Sequence, residues 1–375
     1  MTAHSFAGVP PLPEVITIPY SDHPILQQDL QQLADAEILR ELPEYSTVLI
    51  TGATGLIGSQ IAKALACHSK QTGKKLSVIA MVRNEDKARR LFSGYLEEGL
   101  IQLYISDISV PLCPAEQVDY IFHCASPTGS RFFVQQPVET AVTAWDGTRS
   151  VLEYARLHAV RKVVFLSSLE IYGTTDPSLD LVDESVCGHL DPMQARSSYS
   201  EGKRMAECLC ACYHQEYGVP VSVARLTQIF GAGVPYNEGK VFAEFARCAL
   251  EGRNIILHSQ GNTVRNYCYT ADTVLGLFYI LLKGAPGEAY NVANMDTAIS
   301  IREMAELVCS LFPEKQLRLE FDIPEDISVL GYNSERIIRL DSSKLLALGW
   351  KPSTGLKEMF TRMIPCMAAN RGNPS

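Results

Sequence analysis

No stretch of the 375 residues is apolar for long enough to cross a membrane. The longest strongly apolar run, Val274-Leu-Gly-Leu-Phe-Tyr-Ile-Leu-Leu282, falls far short of the roughly 18 residues a spanning helix needs. The amino terminus, Met1-Thr-Ala-His-Ser5, lacks the basic and apolar regions of a secretory signal, so the expectation is a cytoplasmic protein with no membrane partner. An excess of positive charge is missing too: 33 Lys+Arg stand against 42 Asp+Glu, a net charge of −9. That balance argues against a nucleic-acid partner and for small molecules or proteins. A paired cysteine framework is also lacking, since the eleven cysteines are odd in number and scattered through apolar contexts, as reduced thiols would be. In the densest group, Cys208 and Cys212 share one helical face beside Cys210, but no further ligands stand at zinc spacing. We read the group as helix packing and expect no metal site. Internal repeats and low-complexity tracts are absent.

What is present is an alternation of strand and helix signals. Residues 1–20 read as a loose arm, and Asp22–Leu42, with Ile25, Leu30, Leu33, Ile38 and Leu39 between Pro24 and Pro43, as one amphipathic helix. Buried strands are expected at Thr47–Ile50, Leu76–Val82, Ile101–Ile105, Asp119–Cys124, Lys162–Ser167 and Val219–Leu226. Helices are expected at Ser59–Ala66, Pro137–His158 and Ser200–Tyr217. Strands alternating with helices predict an α/β fold built on a doubly wound, mostly parallel sheet covered on both faces. After about residue 230 the alternation becomes irregular, with short elements at Lys240–Leu250, Asn254–His258, Ile301–Phe312 and Gln316–Phe321. This gives an extension at 1–45, a dinucleotide-binding domain at 46–230, and at 231–375 a mainly substrate-binding lobe with segments returning to the first domain.

The chemistry-bearing motifs sit at the strand ends. Gly52, Gly55 and Gly58, with Thr54, Leu56 and Ile57 between them, follow the first strand and open a helix. That spacing turns the backbone tightly, lets it approach a pyrophosphate and aims helix N–H groups at the charge. Arg83, at the end of the second strand, suits the 2′-phosphate of NADP, where an acid would favour NAD. Asp107, after the third strand, is placed to bond the adenine amino group or simply to cap a loop. Tyr199-Ser-Glu-Gly-Lys203 sets a phenol and an ammonium one helical turn apart, and a nearby cation stabilises a phenolate base. Ser168 stands at the carboxyl end of the Lys162–Ser167 strand, where open α/β sheets hold ligands.

Taken with His123-Cys-Ala-Ser-Pro127, Ser167-Ser-Leu-Glu-Ile-Tyr-Gly173, Ala224–Gly231, Arg265–Asp272 and Asp341–Pro352, these motifs resemble the extended short-chain dehydrogenase/reductase superfamily. Within it they resemble the nucleotide-sugar epimerase/dehydratase group, and the likeness runs from about Thr47 to Phe360. It implies a Rossmann-type domain with a small mixed α/β substrate lobe, NAD or NADP as cofactor, and a homodimer packed through two long helices. By resemblance Tyr199 takes a sugar hydroxyl proton during hydride transfer, Lys203 also holds the nicotinamide ribose, and Ser168 bonds the reacting oxygen. Ile108 and Ala125 would line the cofactor, and Ser126, Gln228, Val241 and Arg265 the substrate, with Arg265 on its diphosphate. Glu170 matches a glutamate of the dehydratases and UDP-glucuronate decarboxylases that many 4-epimerases lack. Leu169 stands where dehydratases carry an acid, Gln228 where an asparagine is usual and Ala232 where a proline is usual. The expected activity is therefore that of an epimerase or decarboxylase acting on a nucleotide sugar. An NADPH-dependent reductase and a non-catalytic dinucleotide sensor stand as alternatives.

Overall fold

The computed structural model describes residues 23–127, 129–324 and 336–371; the arm expected at residues 1–20 lies outside them. Seven parallel strands form the main sheet: β1 Thr47–Thr51, β2 Ser77–Val82, β3 Gln102–Ile105, β4 Tyr120–His123, β5 Lys162–Ser168, β6 Val221–Leu226 and, later in the chain, β10 Ala289–Val292. Their order is β10-β6-β5-β4-β1-β2-β3. The chain winds outward from β1 to β3, then returns to β4 on the other side, so the sheet reverses direction between β1 and β4. Ligands of open α/β sheets bind at such a switch point, outside the carboxyl ends of the strands. The six expected strands are each present, with ends shifted by one or two residues. The seventh, β10, lies inside the irregular region and was not anticipated.

Both sheet faces are covered. Val48, Ile50, Val78, Ala80 and Phe122 point into one core and Leu49, Ile79, Met81 and Ile121 into the other, which explains why these strands read as continuous apolar runs. The helix expected at Ser59–Ala66 spans Leu56–Thr72 and begins directly in the glycine turn. Those expected at Pro137–His158 and Ser200–Tyr217 span Pro137–Leu157 and Ser198–Tyr217. A second sheet is made from β7 Gln228–Phe230, β9 Val264–Tyr269, β11 Asn294–Ser300 and the short strand Ile337–Ile338. Between β7 and β9 come helix Val241–Glu251 and strand β8 Ile255–Leu257, which pairs with Leu319–Phe321.

Two expectations need correction. The single helix over Asp22–Leu42 is a helix, Pro24–Ala34, followed by a separate 3₁₀ turn, Glu37–Glu41. In an unbroken helix Leu39 would lie about 180° around from Leu30, at 100° per residue, yet both are fully buried; the extended Ala36 turns the chain so that both reach one core. The cysteine group is not core packing as a whole. Cys210 is buried with Ala206, whereas Cys208 and Cys212 face solvent, and all eleven cysteines are free. No cluster of metal-ligating side chains occurs among the described residues, and none of their helices is long and apolar enough to cross a membrane.

Candidate active site at the sheet's switch point

The glycine turn is built by close approach. Gly52 has φ +64°, and a Cβ there would stand 2.8 Å from the Cα and N of Ala125. At Gly58 a Cβ would meet the Gly52 carbonyl at 2.6 Å. A side chain at Gly52 would push the β1 and β4 loops apart, and one at Gly58 would push the helix off the glycine turn. The first helical turn, capped by Gly55 without any side-chain bond and without an acid, leaves its N–H groups available to an anion. These features fit a dinucleotide pyrophosphate, with Thr54, Gly55, Leu56 and Ile57 forming the rim.

Arg83 and Asp107 meet beyond the ends of β2 and β3, 3.8 Å apart and largely exposed. Asp107 also accepts the Ser109 N–H at 2.8 Å. Ile108 is buried and fills the space beside Gly147. At the end of β4, Ser126 turns its hydroxyl to the Pro127 carbonyl. One residue that the motif reading left without a role sits here. His123 accepts or donates at both ring nitrogens, to Thr51 Oγ1 at 2.8 Å and Thr148 Oγ1 at 3.3 Å, while Thr51 Oγ1 accepts the Ala125 N–H at 3.2 Å. Burial, and behind it the Lys203 charge, pushes the imidazole down to about 3, so it is neutral and latches the β1 loop to the β4 loop.

The other half of the site gathers at the end of β5. Ser168 caps the 3₁₀ turn Leu169–Tyr172 and accepts the Glu170 N–H at 3.2 Å. Tyr199 hydrogen-bonds Ser168, and Glu170 lies close enough to act on the phenol electrostatically. The Ser200 hydroxyl donates to Glu170 Oε2 at 3.5 Å. Leu169 is buried among Ile171, Tyr172 and Val182. Ser168, Glu170 and Tyr199 are thus brought together as expected.

Lys203 departs from expectation. It is buried, donates to the Leu166 carbonyl at 2.7 Å and lies 4.7 Å from the centre of the Phe165 ring. The groups acting on Tyr199 are burial, which pushes it up to about 12, then Ser168, Glu170 and Arg196. Burial thus favours the protonated phenol, and Lys203 is not among the groups that act on it. Phe133 stacks on Tyr199 at 4.3 Å and 11°, and the Arg196 guanidinium sits 5.3 Å from the Phe133 ring. No spacing rule points to this stack.

Two of the remaining expected residues, Gln228 and Arg265, lie on the second sheet. Gln228 pairs with Tyr267 in the β7–β9 register, and Arg265, two residues earlier on β9, shares its face. Val241 begins the helix Val241–Glu251. Arg265 pairs in register with Ile338, so Arg336, two residues before Ile338, falls on the same face. Its Nε is buried without a hydrogen-bond partner among the described residues. Arg336 was missed in the sequence, because only strand register brings it beside Arg265.

Burial lowers Lys203 to about 8, below the roughly 10.4 of an unfolded lysine. Between these values the unfolded chain binds a proton that the native site does not, so this residue makes stability rise with pH across about 8 to 10.4. Chemical denaturation of cofactor-free protein should show this rise, up to about 3 kcal/mol, and Lys203→Met should lack it; equal pH slopes in the two proteins would contradict the assignment.

The family model of the NAD dependent epimerase/dehydratase family matches residues 48–293. The chain is 30% identical over 313 residues to UDP-glucuronic acid decarboxylase 6 of Arabidopsis thaliana, covering 83% of this chain and 85% of that one. It is 29% identical over 323 residues to the UDP-N-acetyl-alpha-D-glucosaminuronate decarboxylase of Bacillus cytotoxicus, covering 84% and 89%. Among solved structures, UDP-glucuronic acid 4-epimerase from Bacillus cereus in complex with UDP-glucuronic acid and NAD has a TM-score of 0.70 at 19% identity, over 86% of this chain and 99% of that one. The glycine turn, the Ser168–Tyr199 pair and a match over most of the chain lead to one conclusion: this protein belongs to the NAD dependent epimerase/dehydratase family and works with a nicotinamide dinucleotide.

Proposed function

We propose that the protein decarboxylates a nucleotide-activated uronic acid by transient oxidation of the sugar ring. The observation that carries this reading is the cluster of Ser168, Tyr199 and Glu170 at the end of β5, with the neighbouring Leu169 buried and apolar. A glutamate at this place suits chemistry at the sugar C5, while the missing acid at Leu169 disfavours loss of a hydroxyl. The decarboxylases among the relatives support the same choice.

Gly52, Thr54, Gly55, Leu56, Ile57 and Gly58 would hold the pyrophosphate, Arg83, Asp107 and Ile108 the adenosine end, and Ala125 and Lys203 the nicotinamide ribose. When bound, the nicotinamide accepts a hydride from the sugar and returns it in the same turnover. In its ionised form Tyr199 takes the C4 hydroxyl proton, with Ser168 on the same oxygen. The C4 ketone then stands β to the C6 carboxylate: the C5–C6 bond breaks, carbon dioxide leaves, and the electron pair is held as an enolate hydrogen-bonded by Ser168 and Tyr199. Glu170 orders a water that delivers a solvent proton to C5, restoring the C4 ketone. A phenol raised to about 12 is well suited to donating to the enolate and to giving back its proton. The cation that acts on it in favour of the opposite transfer is Arg196. Gln228 and Arg265, with Arg336 beside them, would take the diphosphate.

At the adenosine end, Arg83 supports NADP, its exposed guanidinium being free to turn from Asp107 to a 2′-phosphate. We also infer a homodimer. Val138, Val142 and Trp145 on helix Pro137–Leu157 and Met205 on helix Ser198–Tyr217 are exposed, beside a groove of about 470 Å³ that includes Pro192 and Met193. Two adjacent helices carrying apolar stripes are self-complementary about a twofold axis, so a second copy of this chain is the occupant.

Incubated with UDP-glucuronate, the protein should release one carbon dioxide per substrate with no net gain of reduced nicotinamide. Glu170→Gln should slow this by on the order of a hundredfold. An isomeric product would sink the decarboxylase reading, and stoichiometric consumption of NADPH would replace it with the reductase. Arg83→Ala should weaken NADP binding roughly tenfold and leave NAD within about twofold; titration of each dinucleotide decides, and equal losses would remove Arg83 from the 2′ position. Light scattering should give twice the 41.4 kDa chain mass, falling to one chain in Val138→Asp/Met205→Asp, whereas a monomeric parent protein would refute the dimer.

A further inference from the structure

The family match begins at residue 48, yet helix Pro24–Ala34, ahead of it, places a carboxylate in the core. Asp29 is 1% exposed. A carboxylate leaves water at a large cost unless it is paired and hydrogen-bonded. Here Arg362 Nη2 donates to Asp29 Oδ1 at 2.5 Å, the Tyr269 hydroxyl donates to Oδ2 at 2.6 Å, and Arg362 Nε donates to the Tyr269 oxygen at 3.0 Å. Burial still holds the Asp29 carboxyl above the usual carboxylate range. Three distant parts of the chain meet in this cluster: the amino-terminal helix, the end of β9 and the carboxyl-terminal helix Leu356–Ala369.

The cluster does more than staple the termini, because Tyr269 also faces the loop after β7. Its oxygen accepts the Ala232 N–H at 3.4 Å, and its ring occupies the space a Cβ at Gly231 would need, with Cε2 at 2.4 Å. The Ala232 carbonyl in turn accepts from Gln60 Nε2, on the glycine-turn helix, at 2.8 Å. A proline, which the resemblance leads one to expect at 232, has no N–H to offer Tyr269. The alanine and the buried acid therefore belong to one arrangement. Tyr269 registers with Phe230 and Tyr267 with Gln228, while Arg265 continues the same face of β9. The Tyr269 hydroxyl thus sits on the strand pair that carries Gln228 and Arg265.

We propose that Asp29 is a positioning residue for the diphosphate side of the site, acting through Tyr269 to fix β7 against β9. This rests on the reading above that Gln228 and Arg265 take the substrate diphosphate. The amino-terminal helix is then a working part of the substrate lobe and not an appendage.

Two variants of the full chain test this, with UDP and NAD as separate calorimetric probes. Tyr269→Phe keeps the ring against Gly231 and removes the hydroxyl. It should weaken UDP binding and raise KM for the nucleotide sugar roughly tenfold, with kcat within about twofold and NAD affinity unchanged. Asp29→Leu/Arg362→Met replaces the buried pair by apolar side chains, which such sites tolerate in stability. Its melting temperature should stay near that of the parent protein while UDP affinity remains low, since Tyr269 has lost its acceptor. Parental UDP affinity in both variants, or in the double variant alone, would overturn the proposal and leave a purely structural clamp. A parent protein that binds NAD but not UDP would overturn the diphosphate reading itself and this inference with it.

Discussion

The site depends on how closely the loops after β1 and β4 can approach. They flank the point where the sheet reverses, and the Gly52 backbone lies against the Ala125 backbone with no room for a side chain between them. The neutral His123 holds the approach by bridging Thr51 and Thr148. Once these loops are fixed, the helix beginning at Leu56 aims its free amides into the crevice, and the ends of β2, β3 and β5 fall around it. Arg83 and Asp107 then mark one end of the crevice and Ser168 with Tyr199 the other.

Burial governs the chemistry at that second end. Tyr199 and Lys203 both lose their charged forms more readily than in water, in opposite directions of pKa, because the same desolvation acts on an acid that becomes an anion and on a cation. Lys203 is held by the Leu166 carbonyl of β5, a strand inside the sheet, which fixes its position. Phe133 and Arg196 cover the tyrosine from the other side. The result is a buried phenol whose protonated form is favoured.

Much of this was legible in the sequence where a local rule applies. The glycine turn could be read because strand, glycines and helix are contiguous, and Tyr199 because four-residue spacing on a helix sets it one turn from Lys203. Ser168 was legible as the last residue of an apolar run. The features that escaped are made by tertiary contact. Asp29 and Arg362 are 333 residues apart, Arg336 falls on the face of Arg265 only through strand register, and β10 joins the main sheet from within a region of irregular pattern. The break after Ala34 escaped because apolar spacing alone cannot tell one long helix from a helix and a turn that bury different faces in the same core. The solvent exposure of Cys208 and Cys212 escaped for the same reason, since spacing assigns a shared face without saying which way it looks.

The central claim is that oxidation and reduction occur on one substrate without leaving the crevice. The most direct measurement uses UDP-glucuronate carrying deuterium at C4, with product analysed by mass spectrometry after complete turnover in the presence of excess unlabelled dinucleotide. The account predicts that the label stays at C4 of a product lighter by carbon dioxide. Loss of the deuterium to the free dinucleotide pool, with the product still formed, would contradict it.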